Sequence, residues 1–146
     1  MSNKRQVAVG DVFEVDIPMR WSDADMLQHM NNAVYFRFME EARILMMAQA
    51  GMNSTDDVGK VVAHCACDFK KAITYPATVR VKLVVEKVGR TSLTQRNELS
   101  VLHDLTSGPY AVGTTVLVNI HHASGKAIPW TEYDLAMLGS VCQPND

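Results

Sequence analysis

Two hydrophobic periodicities divide this chain. Up to about residue 21, and again beyond residue 57, apolar and polar positions alternate. Between them, from about Asn32 to Gln49, apolar residues follow a helical pattern with no Pro or Gly to interrupt it. Within 11–21, Val12, Glu14 and Asp16 alternate with Phe13, Val15 and Ile17, and the run continues past Pro18 to Met19 and Trp21. This predicts a first strand, with Pro18 marking an edge or a bulge. The polar stretch from Ser22 to Asn32 starts as a loop. Asn31 or Asn32 can cap the helix that follows, and Gly51 stands where a left-handed C-terminal residue belongs. Val34, Tyr35, Phe36, Phe38, Met39, Ala42, Ile44, Leu45, Met46 and Met47 cover far more than one stripe, so the helix is expected to be buried on most sides. Its length is about 27 Å.

After a polar loop (Asn53 to Asp57) only strands are predicted. Val61 to Phe69 is β-rich, and Tyr75-Pro76 punctuates it. Val79, Val81, Leu83 and Val85 alternate with Arg80, Lys82, Val84 and Glu86, the pattern of a half-buried strand. Gly89-Arg90 turns the chain into a partner strand, Ser92 to Leu102, and Ser107-Gly108-Pro109 turns it again. Tyr110 to His121 completes a meander with Val112, Thr114, Val116, Val118 and Ile120 on one face, and Thr131 to Leu138 reads as a short terminal helix. The order is strand, long apolar helix, four strands. It predicts an α+β fold in which an antiparallel five-stranded sheet wraps one long central helix. Such a wrap leaves sheet edges open and part of the helix uncovered, both of which invite a symmetric partner.

At 146 residues the chain has room for one core, so a single domain over 1–146 is expected. The net charge of -2 and a pI near 6.2 give no global attraction to nucleic acid or an anionic membrane, so an anionic ligand needs a local basic patch. No apolar run approaches the ~18 residues of a membrane span. The start, Met1 to Arg5, is polar and basic, and the apolar run after it is too short for a signal-peptide core. Three cysteines, Cys65, Cys67 and Cys142, are an odd number, which fits a reduced cytosolic setting. Cys-x-Cys without a second ligand pair is a poor metal site, and structural cysteines packed on the helix are expected instead. His121 and His122 point to opposite faces of a strand. No glycine-rich phosphate loop occurs, and no cofactor or metal is expected.

The chemistry sits in Arg20-Trp21-Ser22-Asp23-Ala24-Asp25, then His29-Met30-Asn31-Asn32, Tyr35, and Glu40-Glu41-Ala42-Arg43. This series resembles the opening motif of the 4-hydroxybenzoyl-CoA thioesterase-like branch of hot-dog-fold proteins, which includes acyl-ACP thioesterases. Tyr75-Pro76, Val88-Gly89-Arg90-Thr91-Ser92 and Val116-Leu117-Val118-Asn119 before Gly125-Lys126 extend the likeness over nearly the whole chain. The resemblance implies hydrolysis of an acyl-CoA to free acid and CoA, with Asp25 as the catalytic aspartate and the Asn32 backbone N–H as oxyanion donor. It also implies a homodimer or a dimer-of-dimers tetramer with sites at the subunit boundary. His29 matches a histidine of the acyl-ACP thioesterase catalytic group. Two positions depart from the pattern: Gln28 stands where many relatives carry Gly, and Leu27 where acyl-ACP thioesterases have a catalytic Asn.

The residues support the same chemistry on physical grounds. Asp25 precedes the N-terminus of a largely buried helix, where free N–H groups and the positive dipole end meet. A thioester carbonyl placed there gains donors aimed at the oxygen that becomes negative during attack. The carboxylate can attack the carbonyl carbon itself or take a proton from an attacking water. His29 can orient Asp25, relay a proton, or simply hold the loop. Asp23 reads as loop support. Tyr35, Phe36 and Met39 can line the pocket, and Lys70, Lys71, Arg90, Arg96 and Lys126 are candidates for the CoA phosphates, Arg90 foremost. Two other readings stay open: a hot-dog protein that binds acyl-CoA or an acyl carrier without cleaving it, and an enoyl-CoA hydratase on the same fold.

Overall fold

The computed structural model describes residues 5–52, 55 and 57–144. The polar loop expected from Asn53 to Asp57 and the basic start, Met1 to Arg5, lie mostly outside that range. The chain forms β1 (Val12–Pro18), α1 (Asn32–Gln49), β2 (Val58–Phe69), β3 (Thr78–Val88), β4 (Ser92–Val101), β5 (Ala111–His121) and α2 (Glu132–Val141), with 3-10 turns at Trp21–Asp23 and Leu102–Ser107. One five-stranded sheet runs β1-β3-β4-β5-β2, with every neighbour antiparallel. This is the α+β hot-dog arrangement expected from the element order.

The alternation along β3 and β4 explains how the sheet holds the helix. Val79, Val81 and Leu83 on β3, with Leu93 and Leu99 on β4, are fully buried. They face Tyr35, Phe38, Met39, Ala42 and Met46 of α1 in one core. On β5 the pattern is the reverse of what side-chain polarity alone suggests. Ala111, Gly113, Thr115, Leu117 and Asn119 face inward, while Val112, Thr114, Val116, Val118 and Ile120 form the outer, half-buried face. Space decides this: a Cβ on Gly113 would lie 2.6 Å from the Met39 sulfur, so only a small residue admits the helix at this point.

The helix is buried on most sides and, as expected, part of it stays uncovered: Ala33, Arg37, Glu40, Glu41, Ile44 and Ala48 form an exposed stripe along it. One sequence expectation needs adjusting. Cys65 is exposed rather than packed on the helix, because it lies on the edge strand β2. Cys67 is half-buried and Cys142 buried, and burial pushes both thiols up to about 11.

Candidate active site

The loop before α1 is a tight hairpin. Ala24 and Met30 form an antiparallel bridge, Asp25 N–H donates to His29 O at 2.8 Å, and Gln28 N–H donates to Asp25 O at 2.9 Å. The turn closes through Gln28, whose φ of 62° lies in the left-handed region. A side chain at this position carries a local strain that glycine would avoid. A second bridge, His29 with Thr74, and a bond from Tyr75 N–H to Gln28 O at 2.9 Å brace the hairpin against the β2–β3 connection.

Within the hairpin, the two oxygens of Asp25 differ. Oδ1 accepts the N–H of Leu27 at 2.8 Å and of His29 at 3.2 Å. Oδ2 accepts no hydrogen bond among the described residues. Two backbone donors therefore fix the carboxylate's orientation and leave one oxygen open. Leu27 and His29 both reach Asp25 through their main chain, so the side chain at 27 is free to differ from the acyl-ACP thioesterase pattern.

The helix start supplies the complementary group. Asn31 is the N-cap, its side chain accepting Ala33 N–H at 3.0 Å, while its own N–H donates to Asp23 O at 3.1 Å. Asn32, the first helical residue, keeps an N–H with no partner among the described residues. Asp25, His29, Met30, Asn32 and Tyr35 line one cleft of about 210 Å³, together with Phe69, Lys70 and Lys71. Asp25 and Asn32 thus line one small cavity.

Tyr35 closes the cleft from below. It is 2% exposed, its hydroxyl accepts Ile73 N–H at 3.3 Å, and its ring meets Phe69 edge-on at 4.9 Å. Burial raises its phenol above the ordinary range, against the opposing pull of the Ile73 N–H, so Tyr35 stays protonated at neutral pH. Phe36 turns elsewhere. It lines a larger groove of about 350 Å³ between α1 and β2, with Arg37, Met39, Glu40, Arg43, Val62, Cys65 and Thr115. Phe36 also contacts Phe69 edge-on at 6.4 Å, so Phe69 stands between the two cavities. Sequence reading missed Phe69, because nothing in a strand's alternation relates its last residue to a distant helix start.

The basic candidates separate clearly. Lys70 and Lys71 border the cleft, and their N–H groups both donate to Tyr110 O at 2.9 and 3.0 Å. The Lys71 ammonium lies 5.0 Å from the Tyr110 ring centre. Arg90 does not join them: it lies in the β3–β4 turn, where its carbonyl accepts Trp130 N–H, at the end of β3 remote from the β2–β3 connection that braces the hairpin. Arg96 is committed to Glu98 at 2.8 Å and Glu86 at 3.5 Å on the sheet. Asp23 is buried and anchors the loop, accepting Arg20 N–H at 2.9 Å and pairing with Arg37. Among the described residues, no cluster of three or more His, Cys, Asp or Glu side chains is placed to hold a metal ion, and no helix is long and apolar enough to cross a membrane.

Comparison with known proteins agrees with this architecture. The sequence model of the thioesterase-like superfamily matches residues 19–136. Protein YsmA of Bacillus subtilis is 33% identical over 124 residues, covering 84% of this chain and 82% of YsmA. Among solved structures, the PA2801 protein of Pseudomonas aeruginosa, a candidate thioesterase, is 32% identical with a TM-score of 0.78, covering 84% of this chain and 94% of its own. A candidate acyl-CoA thioesterase from Xanthomonas campestris is 33% identical with a TM-score of 0.67, covering 74% of this chain and 92% of its own. The family match runs through the hairpin, the capped helix and strands β2 to β5, and the chain belongs to the hot-dog thioesterase-like superfamily.

Proposed function

We propose that this protein hydrolyses an acyl-CoA thioester to the free acid and CoA in the cleft between the Asp25 hairpin and the start of α1. One observation carries the reading: Asp25, whose carboxylate is oriented with one oxygen open, and Asn32, whose helix-terminal N–H is unpaired among the described residues, line the same cavity. With the thioester carbonyl oxygen on the Asn32 N–H, charge developing on that oxygen meets a donor and the positive end of the helix dipole. Asp25 Oδ2 then either attacks the carbonyl carbon, giving an anhydride that water cleaves, or takes a proton from a water that attacks directly. In both routes the carbon–sulfur bond breaks, CoA leaves as its thiol after protonation, and the acid departs. His29 is suited to carry a proton to or from the cleft.

The similarity to the Xanthomonas protein supports acyl-CoA as the substrate class, and the α1–β2 groove offers an apolar path for the acyl group past Phe36. Tyr35 forms the floor at the reacting end. For the CoA phosphates, Lys70 is the better placed cation within one subunit, while Arg90 serves only if a partner subunit brings it near. A homodimer fits the open edge of β2, where Val61 and Val62 are exposed, and the uncovered stripe of α1. The outward valines of β5 suit a pairing of dimers.

A panel of aromatic, short-chain and medium-chain acyl-CoAs, read by thiol release, tests the reading. Release from at least one class is expected. Tight acyl-CoA binding with no release from any would replace it with a non-catalytic binding role, and hydration of an enoyl-CoA would replace it with a hydratase.

A further inference from the structure

The Asp25 hairpin and the α1 amide must keep a fixed separation for one substrate carbonyl to meet both. We infer that Asp23 and Arg37 form a positioning pair that sets this separation; the inference rests on the cleft being the thioester-cleaving site. Asp23 is 1% exposed and lies two residues before Asp25. Its carboxylate takes three groups: Oδ2 accepts Arg20 N–H at 2.9 Å, Oδ1 lies 3.5 Å from the Arg20 guanidinium, and Oδ1 also accepts the Arg37 guanidinium. Its carbonyl accepts the Asn31 N–H at 3.1 Å, one residue before the open amide of Asn32. A single residue thus touches both halves of the site.

Arg37 supplies what the loop bonds cannot. It sits five residues into α1 and reaches back along the helix toward the N-terminus, the direction in which helical side chains lean. Its bond to Asp23 ties the body of the helix to the base of the hairpin. Besides the Asn31 N–H on the Asp23 carbonyl at the helix cap, the other bonds of the hairpin lead to its own residues or to the β2–β3 connection, so the Arg37 bond is the one, among the described residues, that runs from the body of α1 to Asp23. The Arg37 cation also joins Arg20 in offsetting the cost of burying the Asp23 carboxylate. Neither residue lines the cleft; Arg37 borders the neighbouring α1–β2 groove, away from the reacting atoms.

Arg37 is half-exposed, so its replacement need not unfold the protein. The test measures kcat and KM of wild type, Arg37→Met, Arg37→Lys and Asp23→Asn with an acyl-CoA that the wild type cleaves, alongside thermal melting. A displacement of about 1 Å at a reacting centre lowers rates about 100-fold. Arg37→Met is therefore expected to lose about 10- to 100-fold in kcat with KM changed less than about threefold, and Arg37→Lys to recover much of it. Amide hydrogen exchange provides a readout that needs no turnover: residues 24–32 should exchange faster in Arg37→Met, with β3 and β4 unchanged. If the wild type cleaves no acyl-CoA, the functional reading fails while the exchange still reports on the clamp. An Arg37→Met variant that melts lower but keeps wild-type kcat, or one with unaltered exchange across 24–32, overturns the inference.

Discussion

The side-chain oxygen of Asn31 takes the N–H of Ala33 at 3.0 Å, and this bond decides which amide at the start of α1 stays open. A helix begins with several unpaired donors, and here the cap removes one, the loop carbonyl of Asp23 removes the N–H of Asn31, and the amide of Asn32 remains for a ligand. The Asn32 side chain plays no part in that account.

Two substitutions at position 32 separate backbone from side chain. Asn32→Ala keeps the amide and should retain kcat within a few-fold. Asn32→Pro removes only the amide: the first helical position accepts proline well, and Asn31, with φ -62° and ψ 138°, already has the extended backbone proline requires before it. Its kcat should fall about 100- to 1,000-fold, the effect of deleting an oxyanion donor, with helix content by circular dichroism unchanged. Equal activity in the two variants would remove Asn32 from the mechanism.

Gln28 holds a left-handed backbone that costs a side-chain-bearing residue about 1 kcal/mol or more. Gln28→Gly relieves that strain, and part of the gain returns to the more flexible unfolded chain. A net stabilisation of about 0.5–1 kcal/mol is expected, measured as a rise in the urea midpoint at constant slope. A fall in the midpoint would show that the Gln28 side chain contributes more than its backbone costs.

How much of this was legible in the sequence follows from the range of the forces involved. The helix over 32–49 and the order of elements along the chain rest on local periodicity, and both were read correctly, as was Pro18, which ends β1 on an edge strand. The motif residues Asp25, His29, Asn32 and Tyr35 meet in one cleft because they lie on one hairpin and the first turn of one helix. Phe69 and Arg37 were missed because their partners, Tyr35 and Asp23, are fixed by tertiary packing. Arg90 was favoured for its place in a family-like run, yet the length of β3 carries it away from the cleft. The inward face of β5 could not be read from polarity, since the bulk of Met39 over Gly113 sets it.

Acid stability offers a check on the corner that carries Lys71. Hydrogen bonds from Ser107 and Tyr110 hold the Asp104 carboxyl below its ordinary 3.8, with Lys71 and His103 adding a smaller electrostatic pull. A carboxyl lowered in the folded state stabilises it above the unfolded value, and that contribution disappears as pH falls through the folded value. The melting temperature of wild type should therefore exceed that of Asp104→Ala at about pH 7, and the gap should narrow below about pH 4. A gap that widens on acidification would contradict the assignment.

The central claim is that the Asp25 carboxylate performs the chemistry, held in place by the Leu27 and His29 amides. Asp25→Asn preserves the size of the side chain and the oxygen that accepts the Leu27 and His29 amides, and replaces Oδ2 and the negative charge with a neutral NH2. Thiol release from the best acyl-CoA, measured for this variant and wild type at matched folded concentration, is the direct test. The account predicts a loss of at least about 1,000-fold in kcat with an unchanged melting temperature. Turnover within a few-fold of wild type would contradict it.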